Sequence, residues 1–273
     1  MSITLVGGCR VSEMREGAPV TNGTLCIWNQ VGRATGAQAI SLRIMEFASG
    51  LSPVIRNGDY DEIVYVLDRT ERGHPVRLSE PSERTAEGES SARIFIDGWP
   101  YELAPDTGIY IRPHETFAID NPGPDSIVLV SSRCPEPNAA SEFVTQSSTT
   151  LSDSAPQQSP LVRLSDRPAQ PTADRWYRVL VDDEIGSTKA TQFVGSIPPG
   201  RAPDHFHHYE EVLFILKGEG RMWAGETNTP IAAGSCIYLP KGQVHCVENT
   251  GTDELRLLGV FYPAGSPSVR YDV

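Results

Sequence analysis

The sequence has few cysteines, no basic stretch, no long apolar run and little helical periodicity, and each shortage removes a class of protein. Its five cysteines (Cys9, Cys26, Cys134, Cys236, Cys246) form an odd set without a C-x-x-C pair. Neither a disulfide framework nor a thiolate zinc site is expected, and a reducing cytoplasm is the expected location. Basic residues number 23 against 35 acidic, a formal charge of −12, with no Lys/Arg cluster that could track a phosphate backbone. Nucleic acid and anionic membranes are therefore not expected as partners. The opening Met-Ser-Ile-Thr-Leu-Val-Gly-Gly has no basic leader, and the longest apolar stretches, such as Val212 to Leu216, are strand-sized. The expectation is no signal peptide and no membrane span.

What is present is β patterning. Short runs rich in β-branched and aromatic residues recur between Gly, Pro, Asn and Asp, among them Ala39 to Phe47, Glu62 to Leu67, Gln192 to Ile197, Glu211 to Leu216 and Leu255 to Phe261; this reads as an all-β fold. Between Cys134 and Pro160 the composition turns to Ser, Thr, Gln and Pro, the chemistry of an extended linker. The division expected is an N-terminal domain at 1–134, a linker at 135–170 and a C-terminal domain at 171–273. The two domains look duplicated. Tyr60-Asp-Glu-Ile-Val-Tyr-Val-Leu67 matches Tyr209-Glu-Glu-Val-Leu-Phe-Ile-Leu216 in chemical type, Ile109 to Pro113 resembles Cys236 to Pro240, and Asn121 with Gly123 resembles Asn249 with Gly251.

Chemistry gathers in the second half, where His205, His207 and Glu211 follow Gly200 and precede Gly218. His245 follows Gly234, Pro240 and Gly242 and precedes Asn249. Alternate residues of a strand share a face, so His205 and His207 can point into one interior while Phe206 points elsewhere. If Glu211 faces inward, so do Leu213 and Ile215. Val212, Phe214 and Leu216 then form an outer apolar face that needs a cover, which a second barrel could supply. His208, Glu210 and Cys246 are one step out of phase with the ligand candidates and are read as rim or core, and Cys236 as a core residue. Phe206, Tyr209, Met222, Trp223, Tyr238 and Phe261 are candidates for the cavity wall. Three imidazoles and a carboxylate suit a transition ion from Mn to Zn better than Ca or Mg.

In the content and order of these two motifs the sequence resembles the cupin superfamily, with one residue fewer than usual between Gly200 and His205. The resemblance implies two tandem jelly-roll-like cupin β-barrels, a bicupin. It implies one divalent transition metal per chain on His205, His207, Glu211 and His245, with Glu211 also the candidate catalytic base. The N-terminal barrel lacks the ligands: opposite the His pair lie Arg56 and Gly58 or Ile55 and Asn57, and opposite His245 lies Phe117 or Ala118. It is read as structural or as a lid for the other domain. The function implied is a metal-dependent enzyme, monomeric or homodimeric, acting on a small molecule of carboxylate or enediol-like chemistry. The leading expectation is a dioxygenase-like reaction of the quercetinase type. The alternatives are an oxygen-independent Lewis-acid isomerase, lyase or hydrolase, and a non-catalytic small-molecule or sugar-binding module.

Overall fold

The computed structural model describes residues 1–67, 91–145, 157–268 and 271–272, and these build two barrels of antiparallel strands. In the C-terminal half the larger sheet runs, neighbour by neighbour, through Ile3–Thr4, Arg10–Glu13, Ser235–Leu239, Glu210–Lys217, Leu255–Tyr262, Thr191–Ile197, Arg175–Val181 and Gln170–Thr172. The smaller sheet runs through Thr227–Ala232, Glu219–Ala224, His245–Asn249, His205–Phe206 and Tyr271–Asp272. The N-terminal half repeats this plan with Asp61–Val66, Ile127–Cys134 and Leu42–Phe47 at the centre of its larger sheet and Thr116–Asn121 at the centre of its smaller one. Among the described residues no helix is long and apolar enough to cross a membrane.

Alternation along Glu210–Lys217 decides what each face meets. Leu213 and Ile215 join Met222, Ile237, Val247 and Leu257 inside the C-terminal barrel. Val212, Phe214 and Leu216 lie in a core shared between the halves, against Ile63, Tyr65, Tyr110 and Val128 from the N-terminal barrel. The cover that the doubly apolar strand requires is thus the same face of its own repeat. Glu210 strengthens the seam, its carboxylate accepting the backbone N–H groups of Gln38 and Ala39 at 3.0 and 2.7 Å and the Tyr238 hydroxyl at 2.9 Å.

The halves also exchange strands. Arg10–Glu13 pairs with Ser235–Leu239 of the C-terminal sheet, and Leu161–Arg163 pairs with Thr107–Ile111 of the N-terminal one. Two pieces of the segment read as a linker are therefore strands, because Glu142–Val144 likewise adds to Val54–Arg56. An exposed sheet edge offers main-chain donors and acceptors that a polar segment satisfies as well as an apolar one. Residues 146–156 of that segment lie outside the described residues.

Strand register corrects one block of the repeat. Tyr110 faces Ile63 and Tyr238 faces Val212 across equivalent strand pairs, so Tyr110 corresponds to Tyr238 and Pro113 does not correspond to Pro240. Each tyrosine hydroxyl donates to the acidic residue beside the inward-facing glutamate, Tyr110 to Asp61 at 2.6 Å and Tyr238 to Glu210 at 2.9 Å.

Candidate metal centre

His205 opposes His245 where the short strand His205–Phe206 meets His245–Asn249, and the terminal strand Tyr271–Asp272 covers its other edge. One ring nitrogen from each of His205, His207 and His245 lies within 4.8 Å of the others. Glu211 enters from the larger sheet, its Oε2 at 3.6 Å from His207 Nε2. The structure thus brings the three histidines into one cluster and sets the carboxyl against it. His208 is exposed, and Glu210 serves the seam between the halves.

The rings are held in a state that can receive a cation. Backbone carbonyls only accept hydrogen bonds, and the carbonyls of Pro203 and Gln243 lie 3.1 and 2.8 Å from Nδ1 of His205 and His245. Nδ1 of each ring therefore carries the proton and Nε2 keeps the lone pair. Burial, reinforced by the neighbouring His205, lowers the His245 pKa to about 3. Burial alone pushes the Glu211 carboxyl up to about 8. By itself the cavity disfavours charge on its donors, and a cation would return Glu211 to the carboxylate. Two imidazoles whose Nδ1 faces a backbone carbonyl, a third beside them and a carboxyl that a cation would ionise form a donor set that fits a divalent metal ion.

Behind and above the cluster lies a cavity of about 130 Å³. Phe193, Leu213, Val247 and Leu257 give it apolar walls, Gly195 leaves space, and Arg175 is its one arginine or lysine among the described residues. None of the six residues named as wall candidates lines it. Tyr209 instead stacks on His207 at 4.7 Å and on Phe261 at 4.7 Å, fixing the ring from behind. Tyr238 belongs to the seam and Met222 to the core. The wall residues that sequence reading missed, Arg175, Tyr177, Phe193 and Gly195, come from strands Arg175–Val181 and Thr191–Ile197. Their period-2 spacing was the available signal, once those strands were known to flank Leu255–Tyr262.

Register also settles what stands at these positions in the N-terminal barrel. Ile55 pairs with Phe117 as His205 pairs with His245, and Gly50 pairs with Asn121 as Gly200 pairs with Asn249. Of the two alignments open in the sequence, the one placing Ile55, Asn57 and Phe117 opposite the histidines holds.

Comparison with known proteins agrees with this architecture. A family profile described as a cupin domain matches residues 193–261. The oxalate-binding protein of Thermotoga maritima is 36% identical over 84 residues, which are 30% of this chain and 69% of that protein. The chain is a cupin. Auxin-binding protein 1 of Arabidopsis thaliana is 37% identical over 70 residues, 22% of this cupin and 35% of the plant protein. The chain thus spans about a third of the plant relative's length. Bacillus subtilis oxalate decarboxylase superimposes with a TM-score of 0.69 over 93% of this chain and 76% of that one, at 12% identity. A second structure of that enzyme, studied for its Mn(II) centres, gives 0.71 over 94% and 78%, also at 12% identity. The match extends across both barrels, so the bicupin fold is shared along nearly the whole chain.

Proposed function

We propose that His205, His207, His245 and Glu211 hold a divalent transition metal and that the C-terminal barrel is a metal-dependent enzyme acting on a small carboxylate without consuming oxygen. The observation that carries the reading is the convergence of three imidazoles and a buried carboxyl at the floor of a cavity of about 130 Å³. That volume is far below the roughly 300–1,000 Å³ of sites for drug-sized ligands. It suits an acid of a few heavy atoms and not a flavonol, which counts against the quercetinase-like dioxygenation expected from the motifs. The names of the Thermotoga relative and of the Bacillus structures, both concerned with oxalate, point to the same class of ligand.

When bound, the ion supplies a Lewis acid to a carboxylate oxygen. The chain's own residues do the rest. Phe193, Leu213, Val247 and Leu257 exclude water and lower the local dielectric, which strengthens every charge interaction at the floor. Tyr209, stacked on His207, holds that ring in place. Glu211 is the acid–base candidate, as the one carboxyl among the described residues that line the cavity.

The test loads the protein with Mn(II), Fe(II) or Zn(II) in turn and offers oxalate, malonate and hydroxy acids with and without oxygen. Carbon dioxide release or another product under anaerobic conditions is the expected result. Oxygen uptake matching turnover would return the assignment to a dioxygenase. Metal-dependent binding without turnover across the panel would make the barrel a binding module.

A further inference from the structure

The two barrels share a frame, so each interior position of one can be compared with its counterpart in the other. Tyr177 faces Gly195 in the C-terminal sheet as Ile27 faces Met45 in the N-terminal one. Gly195 therefore stands where the N-terminal barrel has Met45, and Arg175, two residues before Tyr177, stands where it has Leu25. Leu25 and Met45 are fully buried and fill the N-terminal interior. Their replacement by Arg175 and Gly195 does two things together. It empties the wall above the histidines and places a guanidinium on that wall.

We propose that Arg175 is the second anchor of the ligand and that the cavity selects short dicarboxylates, one carboxylate at the metal and the other on Arg175. The proposal rests on the metal-centre reading above. Arg175 shares its strand face with Tyr177, a member of the C-terminal barrel core, and its side chain is only 18% exposed. Its partner among the described residues is Asp174, which accepts from Nε at 3.0 Å and is itself 66% exposed. An exposed carboxylate answers a mostly buried cation weakly, and a guanidinium carries five donors in a planar fork of which this contact uses one. The free edge matches a carboxylate in two parallel hydrogen bonds. The cavity it lines has Phe193 and Leu257 among its apolar walls, and its one carboxyl among the described residues is Glu211 in the metal centre. A monocarboxylate can use the floor or Arg175 but not both.

The experiment measures binding of oxalate, malonate, acetate and formate to the full-length Mn(II)-loaded protein by calorimetry, with the Mn(II) EPR spectrum reporting entry into the coordination sphere. Arg175→Ala is expected to weaken oxalate and malonate by roughly 10- to 100-fold, the worth of one charge-assisted pair. It should move acetate and formate less than about 3-fold and leave metal content unchanged. Arg175→Lys should recover part of the loss, since it keeps the charge but not the fork. Asp174→Ala removes the competing carboxylate and should tighten dicarboxylates about 2- to 5-fold, a gain that damaged folding cannot mimic. Gly195→Met should block all four acids without removing the metal. Equal loss of mono- and dicarboxylates in Arg175→Ala, or no loss with metal content intact, overturns the anchor and leaves the metal centre standing. Failure of the wild-type protein to bind Mn(II) removes both.

Discussion

In the C-terminal barrel His205, His207 and His245 cluster with Glu211 beside His207; at the same register the N-terminal barrel has Ile55, Asn57 and Phe117, with Glu62 in the place of Glu211. Both glutamates are buried, yet their surroundings answer them differently. Glu62 is ion-paired with Arg43, whose guanidinium also donates to Ser131 at 3.2 Å and Ser141 at 2.6 Å. Ser131 in turn donates to Glu62 at 2.6 Å. The counterparts of Arg43 and Ser131 are Phe193 and Gly259, which face each other across the C-terminal sheet as Arg43 and Ser131 do across the N-terminal one. Gly259 is required there, because a Cβ at that residue would sit 2.3 Å from the Phe193 ring. A buried carboxylate needs a cation nearby. The N-terminal barrel builds that cation into the chain as a guanidinium, whereas the C-terminal barrel has none beside Glu211 among the described residues and offers ring nitrogens to an acquired one.

The largest break in this comparison comes from separating the barrels. The fragment 160–273 loses both the N-terminal face that covers Val212, Phe214 and Leu216 and the strand Arg10–Glu13 that completes its sheet. It is expected to show no cooperative thermal transition. A sharp melt at the full-length temperature would mean that the seam is dispensable.

Next is the asymmetry in metal content. Elemental analysis should find about one transition metal per chain, and His205→Ala or His245→Ala should lower affinity by more than about 100-fold, beyond the usual cost of losing even a supporting residue. Two metals per chain would mean that the N-terminal interior also binds one, despite its guanidinium.

The third test is confined to the N-terminal barrel. Arg43→Leu leaves Glu62 buried without its charge partner and should cost about 3–5 kcal/mol in urea unfolding. The double variant Arg43→Leu, Glu62→Leu should recover most of that, because replacing both members of a buried pair by apolar groups is often close to neutral. If the double variant is as unstable as the single, the pair is more than a filler for the degenerate interior.

Local alternation and motif spacing are legible in the sequence as far as they act on one strand. The outward run Val212, Phe214, Leu216, the inward run Glu211, Leu213, Ile215 and the gathering of three histidines all follow from period-2 geometry and fixed intervals. What does not follow is anything decided by distant pairing. The exchanged strands Arg10–Glu13 and Leu161–Arg163 carry no local sign of the sheet they join. Nothing in the sequence around His205 shows that the terminal strand Tyr271–Asp272 lies on its edge. Neither Arg43 nor Arg175 stands out in the sequence, and only their counterparts across the repeat show that one fills an interior and the other lines a cavity. Aligning Pro113 with Pro240 shifted the repeat by one residue, and because side chains alternate, that shift hid the equivalence of Tyr110 and Tyr238.

Those two tyrosines give the smallest and finest test. Each donates its hydroxyl to the acidic residue preceding the inward glutamate, and burial together with that acid raises both phenol pKa values. The acids differ in what remains once the hydroxyl is gone. Glu210 keeps the backbone N–H groups of Gln38 and Ala39. Asp61 is 3% exposed, and its Oδ2 has no hydrogen-bond partner among the described residues. Tyr110→Phe should therefore leave a nearly unsatisfied buried carboxyl and cost about 1.5–3 kcal/mol, while Tyr238→Phe removes one bond among several and should cost about 0.5–1.5 kcal/mol. Parallel urea titrations of the two variants measure the difference. Equal costs would show that the hydroxyl contributes the same in both barrels and that the backbone clamp on Glu210 adds nothing to the seam.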